Sequence, residues 1–265
     1  MQVEELKKAI AKLENKVAMA STTNEATPNK TVALSLYNSG SPDSHFWVAQ
    51  ESSYVYLQEW MRKGMREKVF LDCSCGAGER VVMAAGLGAV LAIGLNPNEA
   101  ALAQAKSYSK RQKCEGNTVF LPSNCENTGL PNESVDVIVV DDFQVKPDLS
   151  FAFPELRRVL KPGGRLLFLG TLDFNPFVKA RSVITSKRKQ TAPIYSDIAA
   201  FAQQFFQVGE LRYWHLLSTS VAYISNFKIQ SKILSLLNPL DCYLAKIPGI
   251  RRLAWQFTLE LKKKK

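Results

Sequence analysis

The chain has 265 residues, of which 46% are hydrophobic, 22% are charged and 10% are aromatic. This length fits one large α/β domain or two small ones, and the composition excludes wholesale disorder, a collagen and a coiled-coil rod. With 34 basic and 24 acidic side chains, the formal net charge is +10. That charge fits a nucleic acid, a phospholipid surface or an acidic substrate, or else a solvated surface with a lysine-rich tail.

The sequence lacks the segments that are typical of several classes of protein. No apolar run reaches 18 residues, so no membrane-spanning helix is expected. The first residues carry acids and lack the apolar stretch of a secretory signal. The five cysteines lack the spacing of a disulfide frame, and Cys73-x-Cys75 without a nearby histidine is not a zinc site. We therefore expect reduced thiols, no metal and a cytoplasmic protein.

The first 64 residues divide into a helix and an aromatic segment. Residues 1–20 carry apolar side chains at steps of three and four, which predicts an amphipathic helix that packs on the body or on a twin chain. The second arrangement would give a homodimer. Residues 21–64 begin with the composition of a linker and continue into an aromatic segment that includes Tyr54.

From Val69 the sequence alternates between short apolar runs and helical patterns. Strands are predicted at Val69–Leu71, Ala89–Leu95, Thr118–Leu121, Val135–Val140 and Arg165–Leu169, and helices at Glu79–Leu87, Asn98–Arg111 and Phe151–Leu160. Alternating β and α elements with short connections predict an α/β protein with a Rossmann-like, doubly wound, mostly parallel sheet.

The pattern changes after Gly170. Period-2 alternation over 211–216 and over 253–261 predicts two late strands, which would add an antiparallel edge to the sheet. Residues 217–250 between them have the pattern of a helical insertion that forms a cap. Basic residues beside apolar ones in this insertion are typical of a helix on a membrane surface, and also of a cap packed over a pocket.

The turn between the first strand and the first helix, Leu71–Glu79, is rich in small residues. Small side chains let a ligand approach the backbone, and the free amides of the following helix point at it. The spacing is not Gly-x-Gly-x-x-Gly, because Ser74 stands where a first glycine would be. The turn predicts a nucleotide-type site or, alternatively, a tight turn without a ligand.

Four segments resemble, in order, the motifs of class I S-adenosylmethionine-dependent methyltransferases over about residues 65–172. They are Phe70–Gly78 for the first motif, Ala92–Glu99 for the end of the second strand, Leu130–Ile138 for the approach to the fourth strand, and Leu156–Arg165 for the next helix, turn and strand. The last segment is similar to the branch that methylates small molecules such as sterols, quinones and natural products. Gly94-Leu95-Asn96 and the alanine-rich helix after it are similar to sterol C24-methyltransferases.

The resemblance implies the class I methyltransferase fold, with residues 65–265 as the methyltransferase domain and S-adenosyl-L-methionine as the cofactor. Its implied function is C- or O-methylation of a small metabolite in biosynthesis. The aromatic segment and the apolar segment over 217–250 indicate a lipophilic metabolite, and the protein is expected to be cytoplasmic or peripheral to a membrane. The family often builds a substrate lid before the first strand, where residues 21–64 lie here.

Asp72, Ser74, Gly76 and Gly78 are implied to hold the methionine end of the cofactor, with Asp141 near its methionyl part. An α-amino group needs carbonyl or carboxylate acceptors there.

Asn96, followed by Pro97, is implied to meet the ribose hydroxyls, and Asn124 and Cys125 to lie along the adenine edge. Asn96 and Asn124 replace acids that are usual at these positions, as Ser74 replaces a glycine. An amide oxygen accepts a hydrogen bond without charge assistance, which forfeits roughly 1 kcal/mol per contact. Asparagine also suits ordinary turns at strand ends, so a role without cofactor stays open.

Three residues are candidates for acting on the methyl acceptor. His45 in the aromatic segment and His215 on a predicted edge strand are the two histidines, and either is a base near neutrality or a packed residue. Asp142, at the end of the fourth strand, would orient an acceptor or stabilise a carbocation. Aromatic residues such as Tyr54 and Trp214 would line an apolar acceptor pocket, or simply belong to the core.

Two other functions remain as alternatives. The basic residues over 179–189 and the charge of +10 fit an RNA methyltransferase, but Asp141–Gln144 stands where a base-methylating enzyme has Asn-Pro-Pro-Tyr, so nucleic acid is not the expected partner. The three departures fit a non-methylating binding protein or a cyclase on the same fold. The preferred partner is an apolar small molecule, with peripheral membrane contact.

Overall fold

The structure, a computed structural model, describes residues 3–20, 48–141, 147–172, 174–184, 197–224 and 226–264. The helices are α1 Val3–Ala20, α2 Glu51–Arg62, α3 Glu79–Gly86, α4 Glu99–Arg111, α5 Leu149–Val159, α6 Pro176–Ile184, α7 Ile198–Gln203 and α8 Phe227–Leu244, with 3₁₀ helices at Ser218–Tyr223 and Ile250–Leu253. The strands are β1 Val69–Asp72, β2 Leu91–Leu95, β3 Thr118–Leu121, β4 Val135–Asp141, β5 Leu160–Thr171, β6 Gln207–Trp214 and β7 Gln256–Lys262.

The described strands form one sheet in the order β3-β2-β1-β4-β5-β7-β6. Strands β1 to β5 are parallel, and β7 pairs antiparallel with both β5 and β6. This confirms the predicted doubly wound sheet with an antiparallel edge. The order turns back beside β1, because the chain runs outward to β2 and β3 and then returns to β4 on the other side. Ligands of such sheets bind at that switch point, outside the carboxyl ends of the strands.

Burial on both faces of the sheet explains why β1, β2 and β4 read as continuous apolar runs. Side chains alternate between the faces of a strand. In β4, Ile138 and Val140 join one core cluster, and Val137 and Val139 join the other. The central strands therefore have no solvated face, and polar groups are left to their ends.

The N-terminal helix α1 packs on the body of the same chain. Leu6 and Ile10, two residues of its predicted apolar seam, are buried in the larger core cluster. Those two seam positions are therefore covered without a second copy. The homodimer stays a prediction, as does the lid role of residues 21–64, of which 21–47 lie outside the described residues.

Several predicted boundaries differ from the structure, most of them by one to three residues, and the differences at β5 and β6 are the largest. Strand β5 begins at Leu160, and its pairing with β4 is displaced between Val135 and Val137, so the predicted Pro-Gly-Gly turn is an irregularity within the strand. Strand β6 begins at Gln207 and ends at Trp214. His215, predicted on that strand, lies beyond its end with a φ of 62°.

No helix among the described residues is long and apolar enough to cross a membrane.

Candidate functional site

The residues predicted from the glycine turn meet at the carboxyl ends of β1 and β4. These two strands are neighbours, with Asp72 in register with Val139, two residues before Asp141. The residues just before these two aspartates, Leu71 and Val140, are buried and apolar, so the two terminal carboxylates are the first polar side chains at the switch point of the sheet.

Ser74 connects the turn after β1 to the end of β4. Its hydroxyl donates to the carbonyl oxygen of Asp141 at 2.9 Å and accepts from the Asp141 backbone N–H at 3.2 Å, while its own N–H donates to Asp72 Oδ1 at 3.1 Å. The serine that replaces the usual glycine therefore makes a two-way bridge between neighbouring strands.

Gly78 allows helix α3 to start close to the sheet. It has a φ of 88°, a left-handed conformation that L side chains rarely adopt. A Cβ atom there would lie 2.9 Å from the Cβ atom of Ala105 and 3.0 Å from the Phe120 ring. Gly76 also has a positive φ, of 51°. The turn follows this path because neither position carries a side chain.

Arg80, in the first turn of α3, joins both carboxylates. Its Nε donates to Asp72 Oδ2 at 2.8 Å and its Nη1 to Asp141 Oδ2 at 2.8 Å, while Nη2 reaches Asp72 Oδ1 at 3.2 Å and the Ser74 carbonyl at 2.8 Å. Arginine presents its donors in a planar fork, which suits paired carboxylate oxygens. One guanidinium therefore holds together the turn and the ends of two strands.

The charges of this cluster interact strongly because they are close together and largely buried. Burial acts to lower the pKa of Arg80, but Asp72 and Asp141 outweigh it and hold that pKa well above its usual value. Burial raises the pKa of Tyr54 to about 12, and the positive charge of Arg80 acts against this shift. The cluster thus contains a permanent cation, two carboxylates and a neutral phenol from α2.

Asn96 follows β2 and folds back on the next turn. Its Oδ1 accepts from the Asn98 backbone N–H at 2.8 Å, and Asn98 in turn accepts from Ala101 N–H as the N-cap of α4. The Asn96 amide nitrogen has no hydrogen-bond partner among the described residues, and Pro97 is exposed. The side chain therefore offers a donor and a remaining lone pair to a ligand while it also shapes the turn.

Asn124 and Cys125 follow β3. Asn124 Oδ1 accepts from the backbone N–H groups of Glu126 and Asn127, both at 3.0 Å, which is the role of a turn residue. Cys125 is buried, and burial raises the pKa of its thiol to about 12. A neutral thiol supplies apolar surface of the kind that packs against a flat base.

The three catalytic candidates are not brought together among the described residues. His45 and Asp142 lie outside the described residues. His215 is 1% exposed, between the hydroxyls of Ser53 at 2.8 Å and Ser218 at 3.2 Å. Burial lowers its pKa to about 3, which is far from the neutral value expected of a base. Its contacts are those of a packed histidine, the second of the two roles that the sequence left open.

Arg80 is the site residue that sequence reasoning missed. A cation in the first turn of a helix opposes the helix dipole, so its presence two residues after the glycine turn was an available signal that a carboxylate faces it. Tyr54, expected to line an acceptor pocket, lies instead close enough to the Arg80 cluster for its pKa to respond to it.

The donor set fits a cofactor that combines an amino acid with a nucleoside. Arg80 and the carboxylates of Asp72 and Asp141 match the charges of an α-amino acid, and Asn96 offers a donor and an acceptor to a diol. The turn between them is built of small residues, which let such a molecule approach the backbone. The arrangement can bind and orient such a group in a fixed position.

Residues 71–168 match a protein family described as a methyltransferase domain. Sterol 24-C-methyltransferase of Pneumocystis carinii is 28% identical over 118 residues, 44% of this chain and 30% of that protein. Ribosomal protein L11 methyltransferase of Vibrio cholerae is 32% identical over 134 residues, 50% of this chain and 43% of that protein. The chain thus spans less than half the length of these curated relatives.

Among solved structures, geranyl diphosphate methyltransferase in complex with S-adenosylmethionine superimposes with a TM-score of 0.58. The match covers 89% of this chain and 96% of that one at 14% sequence identity. A likeness at this identity concerns the fold, and it agrees with the strand order found here.

Proposed function

We propose that this chain, whose residues 71–168 form a methyltransferase domain of the class I fold, transfers a methyl group from S-adenosyl-L-methionine to a small, lipophilic metabolite. The observation that carries the proposal is the junction of Asp72, Arg80 and Asp141 beside the glycine turn. It lies at the switch point of the sheet, where such folds bind ligands.

The residues of the cluster supply binding and position. In the proposal, Arg80, Asp72 and the backbone of the turn hold the amino acid end of the cofactor, Asn96 holds the ribose hydroxyls, and Cys125 lies against the base. S-adenosylmethionine supplies an electrophilic methyl group on a sulfonium. Because an in-line displacement depends mostly on position and on a dry site, these residues need not take part in bond making.

His45 and Asp142 are the groups that we propose act on the acceptor. A histidine takes a proton near neutrality, which suits an oxygen or an acidic carbon acceptor. Asp142 is next in the sequence to Asp141, which ends β4 at the edge of the sheet where the cluster lies. His215 is not proposed for this step, because its pKa and its burial suit a packed residue.

A lipophilic acceptor is supported by the names of two similar proteins. One is named for sterols, which are largely apolar, and one for geranyl diphosphate, which joins an apolar chain to a charged diphosphate. A third is named for a ribosomal protein, so a protein acceptor is the alternative to test. We also propose a cytoplasmic location and leave a homodimer as a prediction.

Calorimetry of the full chain with S-adenosylmethionine and with its demethylated product tests the proposal directly. We expect saturable binding of both, weakened at least tenfold by Asn96→Ala and unchanged by Asn132→Ala, which alters an exposed asparagine between β3 and β4. Absence of binding by either compound would contradict the proposal.

The acceptor class is tested with cofactor that carries a labelled methyl group. Lipid, RNA and protein fractions of an extract are offered separately, and label is expected in the lipid fraction. Label in RNA or protein would replace the acceptor class. Binding without transfer to any fraction would favour the non-methylating alternative.

A further inference from the structure

Helix α8 presents an apolar stripe to solvent. Its large exposed side chains recur at steps of three, four or seven residues, which places them along one side of the helix and its continuation. They are Ile229, Leu236, Leu240, Tyr243 and Ile247. Leu236 is 75% exposed and Tyr243 is 68% exposed. Contiguous exposed apolar surface of this kind marks an interaction site.

The opposite side of α8 is fixed to the protein. Asp241 accepts from the backbone N–H groups of Leu217 at 2.8 Å and Ser218 at 3.0 Å, and Gln230 donates to the Val221 carbonyl at 3.0 Å. Because these contacts are polar, directional and buried, the helix cannot roll to hide its outer stripe. The exposed surface is therefore a built feature of the fold.

Within the described residues 226–253, the exposed charged side chains are all basic. Exposed cations flank the stripe, namely Lys228, Lys232, Lys246, Arg251 and Arg252. Over residues 226–253 Asp241 is the single acid in the sequence, and it is buried against the backbone. This surface, α8 with its flanking residues up to Leu253, is called the α8 face below.

We propose that the α8 face docks on a membrane surface that contains anionic lipids. Apolar side chains between lysines and arginines match an interface in which acyl chains lie beneath negative headgroups. A second copy of the chain would bring five cations against five, and a nucleic acid would leave the apolar side chains unpartnered. Charge and apolar surface together therefore favour the bilayer.

The α8 face lies at the same end of the sheet as the candidate site. Asn175, which follows β5, donates to the carbonyls of His215, Leu216 and Leu253, so the chain at both ends of the insertion is tied to the carboxyl end of β5. Asp72 and Asp141 mark the same end in β1 and β4. Docking would place the site near an acceptor dissolved in the membrane, and this consequence rests on the proposed function.

Sedimentation of the full chain with phospholipid vesicles tests the docking. We expect at least tenfold more protein bound to phosphatidylcholine vesicles that contain phosphatidylglycerol than to pure phosphatidylcholine vesicles. K228E/K232E and, separately, L236E are expected to reduce binding at least tenfold. The matched control K106E/K110E makes the same charge change on exposed lysines of α4 and is expected to bind like the wild type.

Cofactor calorimetry separates this proposal from the proposed function. All variants are expected to bind S-adenosylmethionine like the wild type, since none alters the site, and a thermal melt checks that each is folded. Vesicle binding by a chain that binds no cofactor would overturn the proposed function and leave the docking intact.

Several results would overturn the docking. One is absence of binding to anionic vesicles, and another is equal loss of binding in K228E/K232E and K106E/K110E. A dimer in solution that L236E dissociates, without vesicle binding, would assign the face to a second copy. Salt-sensitive RNA binding lost in the same variants, without vesicle binding, would assign it to a nucleic acid.

Discussion

The Nε atom of Arg80 lies 2.8 Å from Oδ2 of Asp72, a carboxylate without exposed surface at the end of the first strand. The buried carboxylate tolerates its charge because the guanidinium compensates it, and the same guanidinium reaches Asp141 on the neighbouring strand. Stability and the shape of the candidate site therefore depend on one side chain.

Removal of the Arg80 charge is expected to destabilise the fold. In Arg80→Met the buried charge of Asp72 loses its partner, which costs about 3–5 kcal/mol in the free energy of unfolding. Urea denaturation at pH 7 measures this cost. The double variant D72N/R80M removes the fully buried charge and leaves only the partly exposed charge of Asp141, so we expect it to be more stable than R80M. An R80M protein as stable as the wild type would show that water or another cation compensates Asp72.

Substitution of Gly78 tests the close contact of α3 with the sheet. Gly78→Ala combines a left-handed backbone, about 1–2 kcal/mol, with a Cβ atom 2.9 Å from Ala105. Gly64→Ala is the matched control, because Gly64 has a φ of 76° with nothing within 4 Å of the new Cβ atom. We expect G78A to lower the melting temperature more than G64A. Equal effects would mean that backbone conformation alone requires the glycine.

The pH dependence of stability reports on His215. Its pKa is lowered from 6.5 to about 3 in the folded protein, so between these values the unfolded chain binds a proton that the native chain does not. The contribution of neutral His215 to the free energy of unfolding is therefore complete above pH 6.5, and it decreases as the pH is lowered toward 3. Relative to His215→Gln, the wild type should lose about 2 kcal/mol of unfolding free energy between pH 7.5 and 5.

Denaturant melts across this pH range measure the His215 effect by difference. The other histidine, His45, is present in both proteins and cancels. Parallel pH profiles for the two proteins would show that His215 is accessible to protons when folded, which would reopen its role as a base.

Restoration of an acid at residue 96 tests the ribose contact. Asn96→Asp keeps an oxygen for the Asn98 N–H and adds a charged acceptor, so we expect about fivefold tighter binding of S-adenosylmethionine, worth ~1 kcal/mol. Calorimetry of the two proteins at one salt concentration measures the difference. Asn124→Asp serves as comparison at the other replaced acid. Weaker binding by N96D would place the ribose away from this side chain.

Much of the sheet was predictable because its signals are local. The strand Thr118–Leu121 was predicted at its observed bounds, and the helix predicted from Asn98 begins one residue later, with Asn98 as its cap. His215 was misplaced on a strand because alternation continues past Trp214, whereas the chain turns there with a positive φ. Alternation reports side-chain chemistry and does not detect such a turn.

The amino-acid sequence by itself determined the order of β and α elements, the small-residue turn at Gly76 and Gly78, and the amphipathic character of residues 227–244. Each follows from periodicity or from the backbone freedom of glycine, which act over a few residues. Tertiary structure alone decided that Arg80 pairs with Asp72 and Asp141, and which side of α8 faces solvent. The pairing of Arg80 with Asp141 and the orientation of α8 depend on which distant segments meet when the sheet forms, and no local pattern specifies that meeting.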